Sequence, residues 1–199
     1  MSVKHAILLD ADGVLWPDKG SGGILDGRKY AYQSLSELRS HFGAGHDLFV
    51  GVVTNQTYAA RSQIDYVEFS KLIDSFFHDL ISRELINDFR VCFHHPRATY
   101  TPLQNSRCMC RKPRPGMILD LLEFHHLDPR KTVMIGDRIT DMLAAKMAGI
   151  KSTILLYGEK MFEMNEISGI GAEDMSIPLR ISKDLSEAAH ICLNLLNND

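Results

Sequence analysis

The chain has 199 residues, of which 45% are hydrophobic and 24% charged, with a formal charge of -3. These values exclude a disordered or collagen-like chain and suffice for one compact domain, residues 1–199, with a sizeable core. The slightly acidic balance gives no reason to expect nucleic acid or a membrane surface as a partner, and no apolar run approaches the ~18 residues of a membrane span.

The N-terminus enters a strand without a signal-peptide pattern, so a cytoplasmic location is expected, with a monomer as the working state. That strand, Ala6-Ile7-Leu8-Leu9, delivers Asp10-Ala11-Asp12-Gly13-Val14. A continuous apolar run reads as a strand buried on both faces. Two acids at its C-terminal end are costly to desolvate unless they hold a metal or do chemistry. Residues 16–27 read as a Gly-rich loop. Ala31, Leu35, Leu38 and Phe42 stand at helical spacing, with Gly43 and Gly45 as the stop. Residues 47–53 form a second buried strand running into Thr54-Asn55-Gln56. A long helix is expected over roughly 63–87, with Ile64, Leu72, Ile73, Phe76 and Leu80 on its apolar positions. Residues 89–93 are a short strand and 94–114 an irregular loop.

Pro115 suits the first turn of a helix carrying Ile118, Leu121 and Leu122. Residues 132–135 are the next strand, ending at Gly136-Asp137. A helix from about 141 to 148 stops at Gly149, and 152–156 is another strand. Residues 160–180 are weakly patterned and expected to be a loop. Ser182 or Asp184 caps a last helix with Leu185, Ala189, Cys192 and Leu196 on one face. This alternation predicts an α/β, doubly wound parallel sheet.

In such a sheet the C-terminal strand ends share one edge, where ligands bind. Asp10 and Asp12, Thr54, Lys112 and Asp137 all fall at or just after strand ends. The set suits phosphoryl transfer. Asp10 and Asp137 supply oxygen ligands for Mg²⁺. Lys112 and the metal neutralise the transferring group, and Thr54 with the backbone N–H groups after it donates to its oxygens. Asp10 is the candidate nucleophile and Asp12 the candidate acid and base. Gly13 lets the backbone turn tightly beside the phosphate.

Three of the four cysteines cluster in a second pattern: Cys92-x-His94-His95, then Cys108-x-Cys110. Three thiolates and one imidazole, from His94 or His95, suit a closed tetrahedral Zn²⁺ site. With no position left for water, such a zinc is structural and pins the loop at about 92–110. Cys192 reads as a core residue of the last helix.

Asp10-x-Asp12-Gly13, Thr54, Lys112 and Gly136-Asp137-x-x-x-Asp141 resemble, in order and spacing over residues 6–157, the four motifs of the haloacid dehalogenase (HAD) superfamily of phosphatases. The resemblance implies a Rossmann-like fold and an aspartyl-phosphate on Asp10. It implies Mg²⁺ held by the Asp10 carboxylate, the Asp12 backbone carbonyl and Asp137, with Asp141 supporting the loop. The zinc loop followed by Arg111-Lys112-Pro113-Arg114-Pro115-Gly116-Met117 resembles the capless branch that contains histidinol-phosphatases and D,D-heptose 1,7-bisphosphate phosphatases, and favours His94 as the zinc ligand. It implies Lys112, with Thr54 and Asn55, on the phosphoryl group and Arg111 on the rest of the substrate, with Arg61 and Arg138 as further substrate-binding candidates.

The chain departs from the branch at Ala11, where arginine is usual, at Val14 for threonine, at Tyr58 for glycine and at Arg138 for lysine. The 16–27 loop also lacks the segment that heptose phosphatases use to grip the sugar. The expected substrate is a small phosphorylated metabolite, such as a sugar phosphate or D-glycero-D-manno-heptose 1,7-bisphosphate. Histidinol phosphate and a nucleic-acid end are the enzymatic alternatives. A receiver domain is disfavoured because it places its phosphoacceptor on a later strand than its acidic pair. A zinc-knuckle binding module is disfavoured by the intact motif set.

Overall fold

The computed structural model describes residues 5–17, 23–43, 47–61, 64–157 and 179–197. In chain order the elements are β1 (His5–Leu9), α1 (Gly23–Phe42), β2 (Leu48–Asn55), α2 (Tyr58–Arg61), α3 (Tyr66–Ser82), β3 (Asp88–Cys92), α4 (Gly116–Phe124), β4 (Thr132–Gly136), α5 (Ile139–Met147), β5 (Ser152–Leu156), β6 (Leu179–Ser182) and α6 (Leu185–Asn197). The strands form one parallel sheet in the order β3-β2-β1-β4-β5-β6. Among the described residues no helix is long and apolar enough to cross a membrane.

β1 lies in the middle because its side chains are apolar on both faces. Ile7, Leu8 and Leu9 are fully buried, and each such side chain contributes about 1.5–3 kcal/mol on burial. Ile7 and Leu9 face one layer, built with Leu35 and Leu38 of α1, Phe76 and Phe77 of α3, and Ala189 and Cys192 of α6. Ala6 and Leu8 face the other, built with Ile118 and Leu121 of α4 and Met142 and Ala145 of α5. The chain walks outward from β1 to β3, then returns to the other side of β1 at β4. Crossovers of one hand therefore place α1 and α3 on one face and α4 and α5 on the other. The order reverses between β1 and β4. There Leu9 lies opposite Val52 and Ile135, so Asp10, Thr54 and Asp137 emerge from neighbouring strands.

Several boundaries differ from expectation. Within the expected 16–27 loop, residues 23–27 are the first turns of α1. Gly27 lies against the Trp16 ring, where a Cβ would come within 2.6 Å, so close packing rather than loop formation accounts for that glycine. The expected 63–87 helix is shorter at both ends, α3 at Tyr66–Ser82, and the short α2 at Tyr58–Arg61 precedes it. Asp65 caps α3 by accepting from the Glu68 N–H at 3.0 Å, which leaves Ile64 exposed ahead of it. α3 stops at Ser82 because Glu84 takes a left-handed conformation and Leu85 N–H returns to Leu80 O at 3.0 Å, closing a Schellman-type end. The third strand is displaced by one residue, to Asp88–Cys92. Leu179 and Arg180, expected in a loop, belong to edge strand β6; the rest of the 160–180 segment lies outside the described residues, as does Gly45. Asp184 caps α6, accepting from Glu187 N–H at 2.8 Å, while Ser182 belongs to β6.

Candidate active site

Asp10 follows the last residue of β1, and its N–H donates to Ile135 O at 3.0 Å, which joins it to β4. The chain then turns sharply. Leu15 N–H reaches Ala11 O at 2.8 Å and Gly13 N–H reaches Trp16 O at 2.8 Å. Gly13 has φ +81°, and a Cβ on it would lie 2.1 Å from Asp137 Oδ2. Glycine is required there twice over, by conformation and by the approach of Asp137.

Lys112 occupies the centre. Its ammonium lies 2.9 Å from Asp10 Oδ1 and 2.7 Å from Asp141 Oδ1, and donates to Val53 O at 2.7 Å. The Lys112 and Asp141 side chains are each 1% exposed, so these charges sit in a low-dielectric interior where they must balance. Burial by itself pushes the Lys112 ammonium down, but the carboxylates of Asp10 and Asp141 outweigh it and hold it above its usual range. Burial pushes the Asp141 carboxyl up to about 6; Lys112 opposes the shift and the charge of Asp10 adds to it. Asp141 Oδ2 also accepts from Arg138 N–H at 3.1 Å, which fixes the turn holding Asp137.

Asp10, Asp137 and Asp141 present carboxylate oxygens that all lie within 4.8 Å of one another. Three acids here face the ammonium of Lys112 and, at 4.0 Å from Asp137, the half-exposed Arg138 guanidinium. The excess of negative charge and the hard oxygen donors fit a divalent cation.

Thr54, at the end of β2, is fully buried. Its Oγ1 accepts from Gln56 Nε2 at 3.0 Å, which leaves its hydroxyl hydrogen for another acceptor. Of the backbone N–H groups after it, that of Gln56 is bonded to Cys92 O at 2.9 Å. Asn55 grips the Lys112 backbone with both ends of its amide: Nδ2 donates to Lys112 O at 3.2 Å, and Oδ1 accepts from Lys112 N at 3.1 Å. Asn55 thus ties the Lys112 loop to the end of β2. Asp12 accepts from Trp16 Nε1 at 2.7 Å on Oδ1 and from Gln56 Nε2 at 2.8 Å on Oδ2. Neither donor is marked for this site by the sequence alone.

Arg111 is half-buried and donates to His94 O at 3.3 Å. Burial holds its guanidinium below the usual range, and Arg61 and Arg138 add to the effect against the opposing influence of Cys92 and Cys108. His95 is lowered by burial and then by Arg111, Arg61 and Arg97. Arg61, at the end of α2, is exposed. Arg111 therefore lies within electrostatic reach of Arg61 and Arg138, and Arg138 is 4.0 Å from Asp137.

Cys92, His94, Cys108 and Cys110 converge two residues before Lys112. The Sγ atoms lie 2.7–3.6 Å apart, and His94 Nδ1 is 3.2–3.7 Å from each of them. The hydrogen bond with Cys92 holds the Cys110 thiol down to about 5, with burial opposing. The same pairing, together with burial, pushes Cys92 up. A soft donor set with one imidazole around a common centre fits zinc. Cys192 is buried in α6, away from this cluster.

Residues 109–170 match a family model described as HAD-hydrolase-like. The D-glycero-beta-D-manno-heptose-1,7-bisphosphate 7-phosphatase of Pasteurella multocida (strain Pm70) is 34% identical over 155 residues, 77% of this chain and 82% of that protein. The protein of the same name from Salmonella typhi is 31% identical over 152 residues, 76% of this chain and 79% of that one. Among solved structures, the D,D-heptose 1,7-bisphosphate phosphatase from B. bronchiseptica, complexed with magnesium and phosphate, shares the fold. Its TM-score is 0.66 at 24% identity, over 96% of this chain and 98% of that one.

Proposed function

The chain belongs to the HAD-like hydrolase family and is a phosphatase of that type, and we propose that it hydrolyses a small phosphorylated sugar, a sugar bisphosphate by class, through an aspartyl-phosphate on Asp10. The observation that carries this reading is the buried Lys112 ammonium set between Asp10 and Asp141 at the reversal of strand order. It places a fixed cation 2.9 Å from a carboxylate that must meet an anionic substrate.

Mg²⁺ is held by the Asp10 and Asp137 carboxylates and the Asp12 backbone carbonyl. When bound it supplies positive charge against the phosphoryl oxygens, which lets two anions approach. The chain's own groups carry the steps. Asp10 attacks phosphorus, and an Asp10 oxygen–phosphorus bond forms as the bond to the sugar oxygen breaks. Asp12 gives its proton to that oxygen, so a neutral alcohol leaves. Asp12 then takes a proton from water. The water oxygen attacks phosphorus, the bond to Asp10 breaks, and phosphate is released. The Thr54 hydroxyl donates to a phosphoryl oxygen, and Lys112 neutralises the group as charge develops. Asn55 acts through Lys112, whose backbone it holds. Arg111, with Arg61 and Arg138, meets the second phosphate, where planar guanidinium donors suit its oxygens.

Cys92, His94, Cys108 and Cys110 would hold a structural Zn²⁺, and these ligands would then tie down the loop that carries Arg111 and Lys112. In this reading the chain is one capless domain, monomeric and cytoplasmic, with no nucleic-acid partner. Phosphate release from heptose 1,7-bisphosphate, other sugar bisphosphates, sugar monophosphates, histidinol phosphate and a phosphorylated oligonucleotide tests it, in Mg²⁺ and in EDTA. Mg²⁺-dependent release, fastest with a sugar bisphosphate, is expected. A preference for histidinol phosphate or the oligonucleotide would overturn the substrate class, and no release from any of them would overturn the activity.

A further inference from the structure

We propose that Trp16 is a positioning residue for the proton transfer: its indole N–H fixes Asp12 Oδ1, so that Oδ2, on the Thr54 side, is the oxygen that exchanges the proton with the leaving group. The inference rests on the role given to Asp12 above.

The two donors on Asp12 are not equivalent. Gln56 Nε2 is shared between Asp12 Oδ2 at 2.8 Å and Thr54 Oγ1 at 3.0 Å. It keeps a partner at Thr54 when Oδ2 becomes a hydroxyl. Trp16 Nε1 has one hydrogen and no acceptor capacity, and its bond to Oδ1 is 2.7 Å, at the short end for N–H···O. The indole has little freedom to turn away. It is 2% exposed, meets Phe76 edge-on at 5.8 Å and Phe77 at 6.5 Å, and lies against Gly27. Its own carbonyl accepts from Gly13 N–H. A buried tryptophan ordinarily finds an acceptor for its N–H. Here that acceptor is the acid/base carboxylate itself.

Leaving-group dependence separates positioning from mere support. The variant is Trp16→Phe, which keeps an aromatic ring and loses the N–H. Its kcat/KM, which reports the steps up to transfer onto Asp10, is measured for p-nitrophenyl phosphate and for a primary alkyl phosphate. The first leaving group departs without a proton, whereas the second requires one. General-acid catalysis contributes about 10²–10⁴-fold, so a misplaced acid is expected to cost the alkyl phosphate at least about tenfold more than p-nitrophenyl phosphate.

In an Asp12→Asn background the same substitution is expected to add no leaving-group-dependent loss. Trp16→3-benzothienylalanine, with sulfur in place of N–H, keeps the bicycle in its cavity and is expected to show the same selectivity. Gly27→Ala, which crowds the ring, is expected to show it as well. An equal loss on both substrates, or a selective loss that persists in the Asp12→Asn background, would overturn the inference while leaving the phosphatase reading intact. A wild type inactive on every phosphate ester would overturn that reading instead.

Discussion

Lys112→Met removes a side chain that is 1% exposed and whose ammonium lies within 2.9 Å of Asp10 and 2.7 Å of Asp141. Methionine fills nearly the same volume with an unbranched stem, so the perturbation is chiefly one of charge. Removing one partner of a buried ion pair costs about 3–5 kcal/mol, because the charge left behind is uncompensated. Two carboxylates are left here, which puts the loss near the upper end, roughly a third or more of the stability of an ordinary domain.

The deficit also acquires a pH dependence whose sign is fixed. The Asp141 carboxyl already stands at about 6, above its unfolded value of 3.8, and losing Lys112 raises it further. A folded value above the unfolded one means that stability is present at low pH and is lost as pH rises through the folded value. The variant is therefore expected to lag the wild type by more at pH ~8 than at pH ~5. Urea unfolding in EDTA, followed by circular dichroism, measures both numbers. The double variant Lys112→Met/Asp141→Asn is expected to recover about 2 kcal/mol by removing one orphaned carboxylate. A deficit under about 1 kcal/mol at pH ~8, or one that does not change with pH, would mean that the Asp10 and Asp141 carboxylates do not depend on Lys112 for their balance.

Gly13→Ala places a methyl 2.1 Å from Asp137 Oδ2 and forces φ +81° on an L-residue. It is expected to lower stability by about 1–2 kcal/mol, and to abolish Mg²⁺-dependent turnover, as read by a Mg²⁺ titration of phosphate release. Cys110→Ser is expected to lose the bound zinc by metal analysis and to destabilise the fold on the order of 4 kcal/mol. Limited proteolysis would locate the new cleavage sites between 94 and 114, and unchanged zinc content would contradict the ligand set. Asp88 accepts from His125 at 2.7 Å and pairs with Arg90 at 2.8 Å. Burial raises its carboxyl, but these hydrogen bonds outweigh burial and hold it below the unfolded 3.8. That contribution is complete above the unfolded value and is lost as pH falls through the lower folded one. Asp88→Asn is accordingly expected to be roughly 1 kcal/mol less stable than wild type at neutral pH, with the gap closing below pH ~3 in an acid titration of Tm.

Helix ends show how far the sequence speaks for the fold. α5 ends where glycine marks it: Gly149 has φ +83° and Ile150 N–H returns to Ala145 O. α3 and α4 end in the same geometry, but with Glu84 and His126 in the left-handed position. Nothing in those residue types announces a stop, and for α3 the expected helix ran past its end. The start of α1 misleads in the opposite direction. Gly23 and Gly27 are poor helix formers, yet the helix forms through them, with Gly27 required by the proximity of Trp16.

The site divides in the same way. Asp10, Thr54 and Asp137 are legible because each interrupts or ends an apolar run, and a polar residue at a buried strand end needs a reason. Lys112 is legible only through its motif, since its loop has no periodicity. Asn55 stands beside Thr54 in sequence, but its amide contacts backbone 57 residues away. That pairing depends on the path of the 94–114 loop, which brings the Lys112 backbone to the end of β2. Trp16 opens the expected 16–27 loop, yet it is buried in the core. Its second role emerges only when the turn at Gly13 brings the indole back onto Asp12.

In the proposed mechanism the phosphoryl group passes through Asp10. Rapid acid quenching during turnover, followed by mass spectrometry of the peptide that contains Asp10, tests it most directly. One hydroxylamine-labile phosphoryl group on Asp10 is expected in the wild type, and neither label nor turnover in Asp10→Asn. Turnover by Asp10→Asn at the wild-type rate, or a phosphoryl group trapped on another side chain, would contradict it.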